Sequence, residues 1–240
     1  MRSYPDHLPI WIDDSLPPHF PPTHLALDEP DGLLAVGVEA LTPEWMLKSY
    51  ALGIFPWSGD DEPITWWTPN PRAVLFTDRV KVSKSLRKTI NSEKFTVSFD
   101  QAFLDVVKAC ATTTRPGQDG TWIRQDMQQA LLKLHQTGNA HSVEVWHQDK
   151  LVGGLYGLSV GQMFFGESMF ALMSDASKVA LVALCQQLKA WNWPMIDCQM
   201  ETEQLKSLGA TTLPREEFEA IIHRQTALPA DPSPWKLHSI

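Results

Sequence analysis

Three consecutive stretches constrain this chain more than any others: "HSVEVWHQ" (141–148), "KLVGGLYGLSV" (150–160) and "QMFFGESMF" (162–170). Each is rich in β-branched and aromatic residues, and a single residue separates neighbours, Asp149 and then Gly161. Links this short join antiparallel strands, because a parallel pair needs a crossover of a dozen residues or more. A meander therefore sits at the centre of the second half. Before it, "KFTVSF" reads as a strand, "DQAFLDVVKACA" as an amphipathic helix with Asp100 as candidate cap, and "RQDMQQALLKLHQTG" as a helix closed by Gly138. After it, "SDASKVALVALCQQLKAW" reads as a helix and "MIDCQM" as a strand, followed by helical "EQLKSLG" and "PREEFEAIIHRQ". The order βααβββαβ predicts an α+β domain with a mixed, mainly antiparallel sheet.

The first 93 residues read differently. Residues 1–30 are proline-rich, which predicts extended surface chain. "TPEWMLKSYALG" is a helix with Thr42 as N-cap, Pro43 in the first turn and Gly53 just past the end. "ITWWTPNPRAVLF" is extended around its X-Pro steps, and "SKSLRKTINS" is helical. We expect a smaller N-terminal α/β module over 1–93 and a larger domain over 94–240. No apolar run approaches the ~20 residues of a membrane span, and the N-terminus does not resemble a secretory signal. The three cysteines, Cys110, Cys185 and Cys198, sit in apolar segments without metal-binding spacing, so reduced thiols in the cytoplasm are expected. Net charge is −8, yet residues 72–94 carry seven basic and two acidic side chains. Such a patch is either a solvated helix surface or a site for one particular polyanion.

Polar residues inside apolar strands are the candidates for chemistry. In "MIDCQM", alternation puts Asp197 and Gln199 on one face and Cys198 on the other. Both are either satisfied within the fold or directed at a site. "FFGESMF" places Glu167 in the same predicament, and two such strands point to a shared anionic cleft suited to a cationic substrate. "LVGGLYG" lacks the Lys-Ser/Thr of a phosphate loop and reads instead as close backbone packing. His141 and His147 have no third ligand nearby, so no metal is expected.

The ordered set "DEPDGLLAVG", "YALGIFPW", "ITWWTPNPRAVL", "GTWI", "HSVEVW", "LVGGLYG", "FFGESMF", "ASKVAL", "IDCQ" and "SLGA" closely resembles the bacterial leucyl/phenylalanyl-tRNA–protein transferase family from about Leu27 to Gln225. The resemblance implies a GNAT-like acyltransferase domain. It also implies an aminoacyltransferase that takes leucine or phenylalanine from Leu-tRNA or Phe-tRNA, with room for methionine. The acceptor is the α-amine of a protein beginning with Arg or Lys, which is thereby marked for N-degron proteolysis. An aminoacyl ester is already activated, so no cofactor or metal is needed. Asp197 and Gln199 match the family's catalytic pair, and Glu167 with Asp197 would bind the acceptor's basic residue. Trp57, Tyr50 and Trp122 match the site for the tRNA's terminal adenosine. Phe164, Leu155, Leu184 and Leu188 match the aminoacyl pocket, and Lys84, Arg87 and Lys88 would meet acceptor-stem phosphates. A monomer is expected. Thr202 and Gln204 stand where the family often has Asn-x-His. A coenzyme A-dependent acetyltransferase is disfavoured because "GESMFALMSDASKVAL" lacks the glycines of a pyrophosphate turn. A tRNA- or degron-binding module without catalysis would not need both Asp197 and Gln199.

Overall fold

The computed structural model describes residues 8–59, 62–113, 123–230 and 235. In chain order the elements are β1 (Ile10–Ile12), β2 (Leu33–Gly37), α1 (Pro43–Ala51), β3 (Phe55–Pro56), β4 (Thr65–Trp67), β5 (Arg72–Phe76), α2 (Lys84–Asn91), β6 (Thr96–Phe99) and α3 (Phe103–Thr112). They continue with α4 (Gln125–Gln136), β7 (Ala140–His147), β8 (Lys150–Val160), β9 (Met163–Ala171), α5 (Ala176–Ala190), β10 (Met195–Gln199), α6 (Glu203–Ser207), β11 (Thr211–Leu213) and α7 (Arg215–Thr226).

The meander forms as the alternation predicts. β7 pairs antiparallel with β8, and β8 with β9. They sit in a seven-stranded sheet of order β11-β5-β10-β9-β8-β7-β6. Only β9 and β10 are parallel in it, joined through α5, so the expected mixed, mainly antiparallel α+β arrangement holds. Side-chain alternation gives the sheet two buried faces. Tyr156, Leu158 and Phe165 pack on α3 and α4, through Val106, Val107 and Leu134. Leu155, Phe164 and Ile196 pack on α5, through Ala180, Leu184 and Leu188. Gly153 shows what "LVGGLYG" is for: a Cβ there would lie 2.5 Å from the Cβ of Ala176, so only glycine lets α5 come this close to β8.

A second sheet, β1-β2-β4-β3, lies in the N-terminal part. Its residues Leu34 and Trp66, with Trp45 and Tyr50 of α1, belong to the same apolar core as Val106 and Tyr156, so the small sheet and the large one share an interior. The proline-rich start is not only surface chain: Ile10–Ile12 adds to β2 as a parallel edge strand and buries Ile12. β5, read as part of the N-terminal module, is a strand of the large sheet, paired with β10 and β11. Helix α1 is built as its sequence predicts, with the Thr42 hydroxyl accepting from the Trp45 amide, Pro43 at its start and Gly53 at φ +75° beyond its end. Asp100 does not cap α3, which begins after Ala102 without a side-chain cap. Its carboxylate instead accepts from the Ser142 amide at 2.9 Å and pairs with His141 Nδ1 at 2.8 Å. Among the described residues, no helix is long and apolar enough to cross a membrane.

Candidate active site at the splayed strands

The site arises from a fault in the sheet. β9 and β10 are in register only at Phe164–Ile196 and Phe165–Asp197. Beyond that, β10 bulges: Asp197 lies opposite Val74 and Gln199 opposite Ala73, leaving Cys198 as the extra residue. β9 runs on to Ala171 while β10 ends at Gln199, so the two parallel strands part. The wedge between them is the mouth of a cavity of about 590 Å³, walled by β9 from Gly166 to Ala171, by Cys198–Met200, and by Ser177, Leu181 and Leu184 of α5.

Two acidic residues stand beside this wedge in opposite conditions. Asp197 is fully buried and held by Arg72 of β5, whose Nε and Nη2 donate to Oδ1 and Oδ2 at 2.8 and 2.7 Å. The guanidinium lies between the rings of Phe55 and Phe218, at 4.8 and 4.9 Å from their centroids. Oδ1 of Asp197 also accepts the Gln199 backbone N–H at 2.9 Å. That bond holds Gln199 at φ +61°, a left-handed conformation that costs a non-glycine residue on the order of 1 kcal/mol. Glu167, by contrast, lies on the cavity wall with one oxygen satisfied. Its Oε1 accepts from the Tyr50 hydroxyl at 2.5 Å and from Gln199 Nε2 at 2.9 Å, whereas Oε2 has no partner among the described residues. Burial pushes the Glu167 carboxyl up to about 7, against the opposing pull of those two hydrogen bonds. Burial and the Glu167 charge together hold the Tyr50 phenol well above its ordinary range.

The cavity has a polar rim and an apolar end. Leu155, Phe164, Leu181, Leu184 and Ile196 cluster at that end, and Trp57, 37% exposed, is also part of the wall. The Trp57 ring meets Trp67 edge-on at 5.5 Å, and Trp67 Nε1 donates to the Trp57 carbonyl at 3.1 Å. An exposed indole braced in this way offers a flat apolar face at fixed orientation.

The model of the leucyl/phenylalanyl-tRNA protein transferase family matches residues 74–223, and that of its N-terminal domain matches residues 39–70. The chain is 59% identical over 235 residues to the leucyl/phenylalanyl-tRNA–protein transferase of Hydrogenovibrio crunogenus, covering 98% of this chain and 91% of that one. It belongs to the leucyl/phenylalanyl-tRNA protein transferase family. The Xanthomonas axonopodis pv. citri transferase is 50% identical over 95% of this chain and 92% of its own. Among solved structures, L-PGS from Bacillus licheniformis is 13% identical, with a TM-score of 0.40, covering 61% of this chain and 48% of that one.

In this transferase the structure brings six of the thirteen site residues singled out in the sequence to one cavity. Gln199, Glu167, Trp57, Leu155, Phe164 and Leu184 all line the cavity. Tyr50 does not line it but holds Glu167 from behind. Asp197 and Leu188 are fully buried and are not part of the cavity wall. Asp197, read as facing the acceptor, faces Arg72. Trp122 lies outside the described residues. Lys84, Arg87 and Lys88 are exposed on α2, away from the cavity wall. Arg72, counted in the basic segment, is buried in the Asp197 pair and offers no surface charge.

The departures at 202 and 204 have clear places. Thr202 caps α6, accepting from the Leu205 amide at 3.2 Å. Gln204 Nε2 donates to Ser177 Oγ at 3.0 Å and to Met169 Sδ at 3.6 Å, tying α6 to α5 and β9 across the cavity wall. Met169, Ser177 and Leu181 are lining residues that sequence reasoning did not single out. Leu181 could have been found, since it falls three residues before Leu184 on one face of α5.

Proposed function

We propose that the wedge at Gln199 and Glu167 is where this transferase joins leucine or phenylalanine, carried on tRNA, to the α-amine of a protein beginning with Arg or Lys. The observation that carries the reading is the Gln199–Glu167 bond at the point where β9 and β10 part. An aminoacyl ester needs no activation; it needs an amine held against its carbonyl carbon. With Gln199 Nε2 given to Glu167, the amide oxygen is the atom left to accept an amine hydrogen and hold the nitrogen in line. The apolar end accepts an aliphatic or aromatic side chain. It discriminates by bulk alone, at ~1–3 kcal/mol per methylene, which suits acceptance of both leucine and phenylalanine and leaves room for methionine. Glu167 attracts the acceptor's basic residue. Asp197 serves by fixing the backbone of Gln199, its charge being spent on Arg72.

Trp57 then takes the terminal adenosine by stacking, and the exposed basic face of α2 takes acceptor-stem phosphates. The product is a protein marked for N-degron proteolysis, and a cytoplasmic monomer fits such a task. We divide the chain, as a working view, into an N-terminal module over 1–93 and a catalytic domain over 94–240, the latter borrowing β5 to complete its sheet.

Transfer of labelled leucine from charged tRNA to a peptide beginning with Arg, with an Ala-initial control, tests the activity. Gln199→Ala should lower the rate at saturating substrates by roughly 10²–10³-fold, the loss seen when one oriented polar partner is removed. A variant within threefold of the parent would remove Gln199 from the mechanism. Trp57→Ala should raise the KM for aminoacyl-tRNA by roughly 10–100-fold, matching ~1–3 kcal/mol for one stacked base. Peptide KM should change little; equal losses for both substrates would sink the stacking role.

A further inference from the structure

The acceptor's amine enters as an ammonium at neutral pH, since an α-amino group titrates near ~7.7–8. It cannot attack until a proton leaves it. The residues lining the cavity include three titratable groups: Tyr156, Glu167 and Cys198. Burial and the Asp197 charge hold the Cys198 thiol well above its usual range, so it does not supply a thiolate. Tyr50, behind the wall, is already a donor to Glu167. Asp197 has both oxygens on Arg72. An amide such as Gln199 has negligible basicity.

Resting on the function proposed above, we propose that Glu167 is the base of the reaction, receiving the α-ammonium proton on Oε2 while Tyr50 and Gln199 hold Oε1. Two donors on a single oxygen fix the plane of the carboxyl group, while the second oxygen has no partner among the described residues. An unpaired buried carboxylate oxygen is costly, and an incoming N–H relieves that cost. The groups around Glu167 set its readiness. Tyr50 comes from α1, Gln199, Asp197 and Cys198 from β10, Arg72 from β5, and Tyr156 from β8. The Arg72 charge offsets that of Asp197, so burial dominates and brings the carboxyl to about 7, close to the acidity of the ammonium it serves.

The step balances within the substrates and this side chain. One ammonium proton passes to Glu167 Oε2, freeing the nitrogen lone pair. The N–C bond forms at the ester carbonyl, and the C–O bond to the ribose breaks. A second nitrogen proton ends on the ribose hydroxyl, the third stays on the new amide, and Glu167 releases its proton to solvent.

The test compares the parent with Glu167→Gln and Glu167→Asp in single-turnover transfer from Leu-tRNA, at saturating acceptor, between pH 6 and 9. Two acceptors are used: an Arg-initial peptide, and the same peptide with an aminooxy group replacing the α-amine, whose nitrogen is already neutral at pH 7. With the Arg peptide, Glu167→Gln should lose about 10²–10⁴-fold at pH 7, the range for a positioned base, and its rate should climb with pH up to the amine's own titration. With the aminooxy peptide the loss should be below tenfold. Glu167→Asp should keep the acid limb at a reduced rate. Equal losses with both acceptors, or a loss confined to peptide KM, would overturn the proposal and leave Glu167 a recognition residue. Parent protein inactive on the Arg peptide would overturn the underlying function instead. Thermal melting of each variant shows whether it is folded.

Discussion

Asp197→Leu destabilises the transferase by about 3–5 kcal/mol, the cost of leaving a buried guanidinium without its carboxylate. Arg72 is almost completely buried, between Phe55 and Phe218, where no water can take over from Asp197. Urea unfolding of parent and variant measures this directly. The double variant Arg72→Met/Asp197→Leu should recover most of the loss, because well-packed apolar pairs commonly replace buried ion pairs without penalty and a thioether packs well between two rings. It should not recover transfer. Gln199 would still lack the acceptor that holds its backbone at φ +61°, and its amide would no longer be aimed at Glu167. A single variant within 1 kcal/mol of the parent would show that the pair is dispensable to the fold. A double variant with full activity would show that Gln199 does not need Asp197.

Much of this was legible in the sequence. Strong alternation and tight links gave the meander, because adjacent antiparallel strands are local in the chain. Thr42, Pro43 and Gly53 announced α1, because caps depend on near neighbours. What escaped was non-local. Arg72 and Asp197 are 125 residues apart, and nothing in "NPRAVLF" tells that its arginine will meet a carboxylate rather than a phosphate. The short strand at Ile10 depends for pairing on β2, distant in the chain, and carries too few residues to show a period. Strict alternation puts Asp197 and Gln199 on one face. The bulge at Cys198 breaks that alternation, and the two residues came apart in role: one is satisfied inside the fold, the other is at the cavity. Leu188 follows Leu184 by one helical turn, yet the cavity reaches only as far as Leu184. Helical spacing gives a shared face, but depth along that face is set by the elements packed over it.

Glu167→Gln should make the protein more stable at pH 8 than the parent, while disabling it. The folded-state carboxyl titrates at about 7 because it is buried, against ~4.3 in the unfolded chain. Between those values the folded protein binds more protons than the unfolded one, so stability falls as pH rises through that window. Below about 4.3 both states are protonated and this group contributes no difference; above about 7 the full penalty, on the order of 3 kcal/mol, is present. The glutamine variant carries no such titration. Urea unfolding at pH 5 and pH 8.5 should therefore show the gap between variant and parent widening in the variant's favour as pH rises. Parallel pH dependences would mean that Glu167 is not strained in the fold. A widening gap would identify the stored cost with the group proposed as the base: burial would then both destabilise the resting fold and ready the carboxyl to take a proton from the acceptor.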